Sequence, residues 1–483
     1  ETLAGPVACR SAFSAWQALL TEHEPARVAG ITGVPVEKLE QAAAILGGSP
    51  SVAYYAWTGV GQSVTATQTD RAISMLYAMT GSLGAPGGNV PGGAGAFNDI
   101  SGQDLISAGQ KGKALGLDDR PLGPGTSGWV TGRDVYRAIL GQGPYPIRAL
   151  IAFGGNPLAA QPDTALAREA LAALPFHVHA DFFLNPSAEY ADIVLPVATS
   201  WEREGLRTGF DGSLDGLRQV QLRPAVVSPV GEARSDIDIV LGLSKRLGFM
   251  DRMFDGDVDR GHDHALAPAG ITVADLRARP GGIVLPGQVA FRTHAEKGSD
   301  GVAKGFRTPT RRVEIWSEQF HDHGQDALPV WHDRAGTDMP ALTLGCAKTV
   351  AYCHSQHRNI ASLRKLMPDP LLEIAAETAS ARGISDRDWV EVTTATGRFV
   401  ARARITRDMS PDAVFAQHGW WVPDATDDPA SSAVMPANMN QAIGTDIADP
   451  ISGSIPLRAT PCEVRPCDVR PCDVGPYDAG RPA

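Results

Sequence analysis

The sequence predicts an α/β doubly wound body followed by a small C-terminal β-barrel, and three observations carry that expectation. Short apolar runs closed by Gly, Asn or Asp (ALIAFGG, FHVHADFF) alternate with segments of helical periodicity such as DTALAREALAAL, the pattern of strands and helices layered around a parallel sheet. Beyond about residue 340 the chain turns to closely spaced alternating strands with little helix, which reads as a barrel. With 483 residues, 43% of them hydrophobic, more than one sizeable core can be filled.

Taken in order, VPVEKLEQAAAIL places apolar residues at helical spacing behind Pro35, and SVAYYAWTG reads as a strand. A Gly-rich loop, Gly59 to Gln62, leads into a helix carrying Ala72, Ile73, Leu76, Tyr77 and Met79, stopped by Gly81 and the Gly87-Gly88 pair. Pro91 to Gly128 is a long Gly/Pro-rich excursion of the kind that forms lids or partner contacts. ALIAFGGNPLAAQPD then gives a strand expected to be buried on both faces, with Gly154 and Gly155 at its carboxyl end. That end is where open α/β sheets bind ligands, although a strand-Gly-Gly turn also serves purely structural purposes. Asp163 is the expected N-cap of the next helix, FHVHADFF the next strand, ADIVLP the one after, and SDIDIVLGLSKRLG a helix. The domains are expected at 1–339 for the body and 340–460 for the barrel, whose strands are LTLGCAKTVAYC, DWVEVTTATG, RFVARARIT and AVFAQHGWW. Residues 461–483, with the five-residue near-repeat PCEVRPCDVRPCDV, read as a disordered Pro/Cys-rich tail.

Composition excludes several classes of function. A formal net charge of −11 without a basic stripe argues against nucleic acid, and no apolar run approaches the roughly 20 residues of a membrane span. The six cysteines (9, 346, 353, 462, 467 and 472) form no CxxC, so neither a disulfide framework nor a zinc site is predicted. GGAGAFN has Asn98 where a dinucleotide fingerprint needs Gly, and SAGQKGKA has Ser107 and Ala114 where a P-loop needs Gly and Ser/Thr. His177 and His179 share one strand face as metal ligands would, and a packed or polar face explains them more simply. Glu202 and Glu204 are at best a weak acid/base candidate without a partner His. What remains is a set of strand-end loops, Gly59 to Gln62, Gly154 to Pro157, Asp181 to Ser187 and Thr208 to Asp211. Their backbone amides and short polar side chains suit an extended anionic cofactor better than a compact ion.

The order of these segments is specific. GVGQ…DRAISMLYAMTGSLGAPGGN, ALIAFGGNPLAAQPD, ADFFLNPSAEYADIVLPVATSWEREG, TPTRRVEIWSE and the C-terminal module follow one another in a way that resembles the molybdopterin oxidoreductase family of dimethyl sulfoxide reductase and formate dehydrogenase type. YCHSQHRN, GWW and NMNQAIGTDIADPISG resemble that family's dinucleotide-binding domain, a six-stranded double-psi barrel. The resemblance implies a bis(molybdopterin guanine dinucleotide) cofactor with molybdenum or tungsten. It implies a cofactor cage of Gly61, Gln62, Gly154, Gly155, Asn156, Asp181, Asn185, Asp192, His354, Ser355, Gln356, Gly419, Trp420 and Asn438. Within that set Asp181 is expected to accept hydrogen bonds from guanine, and the barrel residues to face the pterin. Replacing Gln356 and Asn438 by Ala is therefore expected to leave stability without cofactor almost unchanged.

Two departures qualify the resemblance. The family's N-terminal region, with its metal ligand and frequently a [4Fe-4S] motif, has no counterpart here, so the chain is expected to be the C-terminal portion of a catalytic subunit, inactive alone. The family's Thr-Asn-x-x-Gly-Arg element is replaced by RTGFDGSLDGLRQ. The expected activity is two-electron redox of a small substrate with an electron-transfer protein or subunit as partner. Alternatives are a cofactor-free scaffold in a respiratory complex, or a non-redox hydratase on the same cofactor. The expected location is cytoplasmic, or periplasmic if a Tat signal precedes the chain.

Overall fold

A computed structural model of the chain describes residues 5–90, 93, 95–209, 213–332, 342–421 and 437–468. The expected domain boundary at 340, the end of the Thr208 to Asp211 loop, and Cys472 lie outside the described residues.

Helices α1 (Ala12–Leu20), α2 (Pro25–Thr32), α3 (Val36–Gly48) and α4 (Ala66–Met79) open the chain. Ala15 and Trp16 of α1 bury against Met75 of α4 and Leu328. SVAYYAWTG is not the strand its composition suggests: Tyr55 and Trp57 are exposed. Side chains, not a neighbouring strand, take its backbone groups. Val52 N donates to Ser82 Oγ (2.9 Å), and Asn89 bonds both the N–H and the C=O of Tyr54 (2.6 and 2.7 Å). Among its described residues the long excursion carries only α5 (Ala108–Lys111) and two single-turn 3-10 helices before α6 (Gly132–Ile139).

Strands β1 (Ala149–Phe153), β2 (Phe176–Asp181) and β3 (Ile193–Pro196) form a parallel sheet in that order. Between β1 and β2 run α7 (Pro157–Ala160) and α8 (Thr164–Ala173), the latter capped by Asp163, whose Oδ1 accepts Leu166 N at 3.1 Å. Tyr136, Ile139, Leu158, Ala167, Leu171 and Leu174 pack against one face of the sheet. On the other face Ile151 and Phe153 of β1 are 46 and 39% exposed, while their partners Val178 and Ala180 of β2 are buried. The expectation of a strand covered on both faces is thus corrected. Parallel strands taken in sequential order with right-handed crossovers place their connections on one side only. The reversal of strand order that a doubly wound sheet requires does not occur among the described strands. A second sheet, unpredicted, is antiparallel: β4 (Gly205–Thr208), β5 (Gln219–Arg223) and β6 (Ile283–Val284). Its Val220 and Leu222 bury against Leu266, Val273 and Leu276 of the helices Val258–Leu266 and Val273–Arg277.

The C-terminal part is a closed six-stranded barrel of order β10-β8-β11-β7-β12-β9. Its strands are β7 (Leu342–Cys346), β8 (Leu371–Ala375), β9 (Trp389–Thr393), β10 (Arg398–Thr406), β11 (Ala413–Ala416) and β12 (Thr460–Pro466). Leu342, Leu344, Leu372, Ile374, Val390, Val392, Phe399, Val414 and Val464 fill its interior. The reading of a disordered tail from residue 461 is overturned for its first six residues, because β12 closes the barrel between β7 and β9. Cys462 and Val464 point inward while Pro461, Glu463 and Arg465 point out. The regular inside-outside alternation is the signal that the prolines obscured.

Candidate functional site at the sheet ends and the barrel mouth

At the carboxyl ends of β1 and β2 four of the expected residues converge. Asn185 is the hub: its Nδ2 donates to Asp181 Oδ2 (2.8 Å) and Gly155 O (3.2 Å), and its Oδ1 accepts the Ser187 and Ala188 amides (3.0 and 3.2 Å). Ser187 Oγ in turn donates to Asn156 Oδ1 at 2.9 Å and accepts Leu158 N at 2.9 Å. Gly154 holds φ +59, a conformation glycine adopts without penalty, and a Cβ there would meet nothing within 4 Å. The loop therefore borders open space. Asn156 Nδ2 is buried and has no partner, a state that normally costs about 1–3 kcal/mol. Beside Asp181 the apolar Phe182, Phe183 and Leu184 are 52, 50 and 72% exposed. An unpaired donor, a carboxylate with spare lone pairs, open backbone and flat apolar side chains suit a purine-bearing diphosphate. The residues present fit that group.

Below this hub lie the two strand histidines. Asn185 Nδ2 contacts His179 Nε2 (3.1 Å), and His179 Nδ1 contacts His177 Nε2 (3.4 Å), both rings fully buried. Burial and the neighbouring ring hold His177 below the usual histidine range, so it is neutral. No group of three or more metal-ligating side chains gathers among the described residues. The pair supports Asn185 from beneath.

At the barrel mouth, Gly419 (φ +72) is fixed by close approach: a Cβ would lie 2.9 Å from Ser355 N and 3.0 Å from His354 C. The His354 loop thus rests directly on the segment that follows β11. Cys346, Lys348, Arg358 and His418, which the sequence did not single out as site residues, build this region. Cys346 Sγ lies 2.7 Å from His418 Nδ1, His418 Nε2 lies 2.7 Å from His354 Nδ1, and His354 Nε2 lies 3.3 Å from Lys348 Nζ. An ammonium can only donate, which makes His354 Nε2 an acceptor and directs each following N–H toward the buried sulfur. Burial pushes the Cys346 thiol up and His418 down to about 4, so both are neutral near pH 7. Arg358, 1% exposed, is sandwiched between the rings of Tyr352 (4.4 Å) and Trp420 (4.2 Å), with its Nε on Gly419 O (2.8 Å). A run of aromatic, His and Arg residues in YCHSQHRN was the available signal, and its pairing with HGWW was not legible.

Not every expected residue is left open to a ligand. Asn438 is fully buried and committed to protein. Its Oδ1 accepts Gly419 N (3.3 Å) and Asn440 N (3.1 Å), and its Nδ2 donates to Ala159 O (2.8 Å). Trp420 likewise packs inside, edge-on to Tyr352. Ser355 is buried, with its carbonyl accepting Trp421 Nε1 at 2.6 Å, while Gln356 and His354 stay exposed. Asp192 sits at the opposite end of β2 from Asp181, its Oδ2 on His177 N at 2.7 Å. Gly61 and Gln62 dock on the segment before β12: Ser454 Oγ donates to Gly61 O, and Arg458 Nε to Gln62 Oε1 (2.9 Å). Glu202 accepts the Thr199 and Val230 amides (2.7 and 2.8 Å), whereas Glu204 pairs with Arg277 (2.6 Å). The two carboxylates are structural anchors pulled to different partners.

The two clusters flank α7. Asn156 precedes it, and Ala159 within it receives Asn438 and Asn440 from the barrel side, both at 2.8 Å. Asp163 N, just beyond, donates to Asn440 O and Ile443 O. The fold is shared with a solved structure. The acetylene hydratase from Pelobacter acetylenicus superposes with a TM-score of 0.81 at 21% identity, over 94% of this chain and 66% of that one. The sequence narrows the class. Residues 36–246 match the family described as molybdopterin oxidoreductase, and residues 342–461 match the molydopterin dinucleotide binding domain. The chain belongs to the molybdopterin oxidoreductases. It is 27% identical to the dopamine dehydroxylase of Eggerthella lenta over 92% of this chain and 52% of that protein. With the dimethyl sulfoxide/trimethylamine N-oxide reductase of Cereibacter sphaeroides it shares 30% identity over 56% of this chain and 35% of that protein. It spans about half the length of the dehydroxylase relative.

Proposed function

We propose that this chain is the C-terminal portion of the catalytic subunit of a molybdenum or tungsten enzyme. It would hold bis(molybdopterin guanine dinucleotide) for two-electron redox of a small substrate. The observation that carries the reading is the strand-end cluster of Gly155, Asn156, Asp181 and Asn185 with its unpaired, buried Asn156 Nδ2. In a cofactor-free scaffold that donor has no use. The bound metal supplies the exchange of two electrons with substrate; the protein binds and orients. Asp181, fixed by Asn185, accepts hydrogen bonds from the guanine edge. Gly154 and Gly155 let the backbone approach the diphosphate, and Asn156 Nδ2 donates to it. The exposed His354 and Gln356 face the pterin from the barrel. The mixed pairing of the barrel, parallel for β10 with β8 and for β11 with β7 and antiparallel elsewhere, supports the double-psi reading. An electron-transfer partner, an iron-sulfur cluster in a preceding region and a cytoplasmic location belong to the same proposal.

A non-redox hydratase is the second reading, favoured by the shared fold with acetylene hydratase and by 25% identity to the Syntrophotalea acetylenica enzyme over 60% of this chain. Turnover that needs no electron acceptor distinguishes it. For either reading, Asp181→Ala should weaken cofactor retention in the whole protein by about 2 kcal/mol, roughly thirtyfold, through loss of a charged acceptor. The check is guanine nucleotide and molybdenum released per protein after denaturation. Wild-type content in a folded Asp181→Ala protein would remove guanine from this position.

A further inference from the structure

A cavity of about 220 Å³ lies where the body meets the barrel segment, away from the two clusters above. Arg120, Thr131, Gly132 and Gln161 line it from the body, Thr445 and Gly453 from the barrel side. Helix α6 begins in its wall. Thr131 caps that helix, accepting Asp134 N and donating to Asp134 Oδ2 at 2.7 Å. The first amides of a helix lack intrahelical acceptors and carry its positive end.

A second observation, independent of the helix, is Arg120. Only 7% exposed, it pairs with Asp134 through Nη2, yet its Nε is buried with no partner. A Cβ on Gly453 (φ +73) would lie 3.1 Å from that nitrogen, so the Nε faces space kept open by a glycine. Asp134 is engaged by Arg120, by Arg133 (3.2 Å) and by Thr131. Asp119, 3.8 Å from Arg133, is 71% exposed. Asp163, next to the lining residue Pro162, is engaged by Leu166 N and by Thr445 Oγ1 (3.3 Å), and Asp449, next to Ala448, by Thr67 Oγ1 (2.8 Å) and Ser452 N (2.7 Å). Gln161 accepts the Tyr136 hydroxyl on Oε1 (2.8 Å), which leaves its amide N–H groups as donors. The cavity thus presents donors from three directions.

The geometry points to a binding site for a small oxyanion, a carboxylate or a phosphate group, held by Arg120 Nε, the Gln161 amide and the first turn of α6. Because the walls come from both parts of the chain, a bound anion ties the barrel segment to the body. The inference does not depend on the cofactor reading.

The test uses the full chain, with inorganic phosphate and acetate titrated separately against potassium chloride at matched ionic strength, followed by thermal unfolding and calorimetry. A saturable rise in Tm with phosphate assigns a phosphate group, with acetate a carboxylate, and with both the shared chemistry. Two variants are expected to weaken binding at least tenfold. Arg120→Lys keeps a cation on Asp134 but removes Nε, and Ala448→Leu fills the cavity without touching the Arg120 pair. The second keeps the test decisive if the first fails to fold. Equal shifts with chloride, or unchanged affinity in a folded Ala448→Leu protein, would overturn the proposal.

Discussion

Asn438→Ala is expected to lower the stability of the chain without cofactor by about 3–4 kcal/mol, the reverse of what its sequence position suggested. The amide oxygen accepts two buried backbone N–H groups, Gly419 and Asn440, and the nitrogen donates to Ala159 O. Truncation leaves both N–H groups without an acceptor in a site fully shielded from water, at about 1–3 kcal/mol each. Ala159 O retains Asn440 Nδ2, so the carbonyl adds little. Gln356→Ala, on an exposed side chain, should change stability by no more than about 0.5 kcal/mol. Urea unfolding of the two single variants checks this. Equal, small effects would return Asn438 to the set of residues free to serve a ligand.

The contrast between Asn438 and Gln356 shows what sequence could and could not supply. Both are polar residues in loops at the barrel mouth, and residue type alone gives them the same role. Which one spends its hydrogen bonds on the protein depends on where α7 lies, and that is a tertiary fact. The strand-end cluster was more legible, because Gly154-Gly155-Asn156 and Asp181 to Asn185 each follow an apolar run, and parallel pairing of β1 with β2 brings adjacent strand ends together. Asp192 misled for a related reason. It lies close in sequence to Asn185, but the chain first runs back along β2, so it reaches His177 at the other end of the strand.

Among the barrel strands, β8 and β12 went unpredicted. LLEIA is followed at once by a helix, Ala376–Ala381, and its five residues blur into that helical pattern. In β12 two prolines and a near-repeat hid an alternating strand. The strand tolerates them because they lie at its ends, Pro461 second and Pro466 last in the pairing. The histidine chain was invisible for a different reason: Cys346, His354 and His418 come from three separated segments, and only closure of the barrel makes them neighbours.

That chain sets a second large effect, the acid sensitivity of the fold. Burial, with the nearby His354 ring and Lys348, holds His418 at about 4 against an unfolded value of 6.5. Between these values the unfolded chain binds a proton at this imidazole and the folded chain does not. Unfolding therefore takes up a proton, and stability falls as pH drops through the window. The contribution is whole above pH 6.5 and spent once pH has fallen through about 4, a loss of about 3 kcal/mol at 1.36 kcal/mol per unit. His177 and His354, also held low by burial, shift in the same direction. Carboxylates with lowered values, such as Glu202 and Asp259, act at more acid pH, below their unfolded values of 4.5 and 3.8. The interval from pH 6.5 to 4.5 thus isolates the histidines. His418→Gln replaces the imidazole by a neutral side chain that does not titrate, and its stability should fall by about 2–3 kcal/mol less than wild type across that interval. Urea unfolding at pH 7, 6, 5 and 4.5 on both proteins measures the difference. Parallel curves would mean that His418 accepts its proton in the fold as readily as in water, and the closed, buried pairing with Cys346 would have to be open in solution.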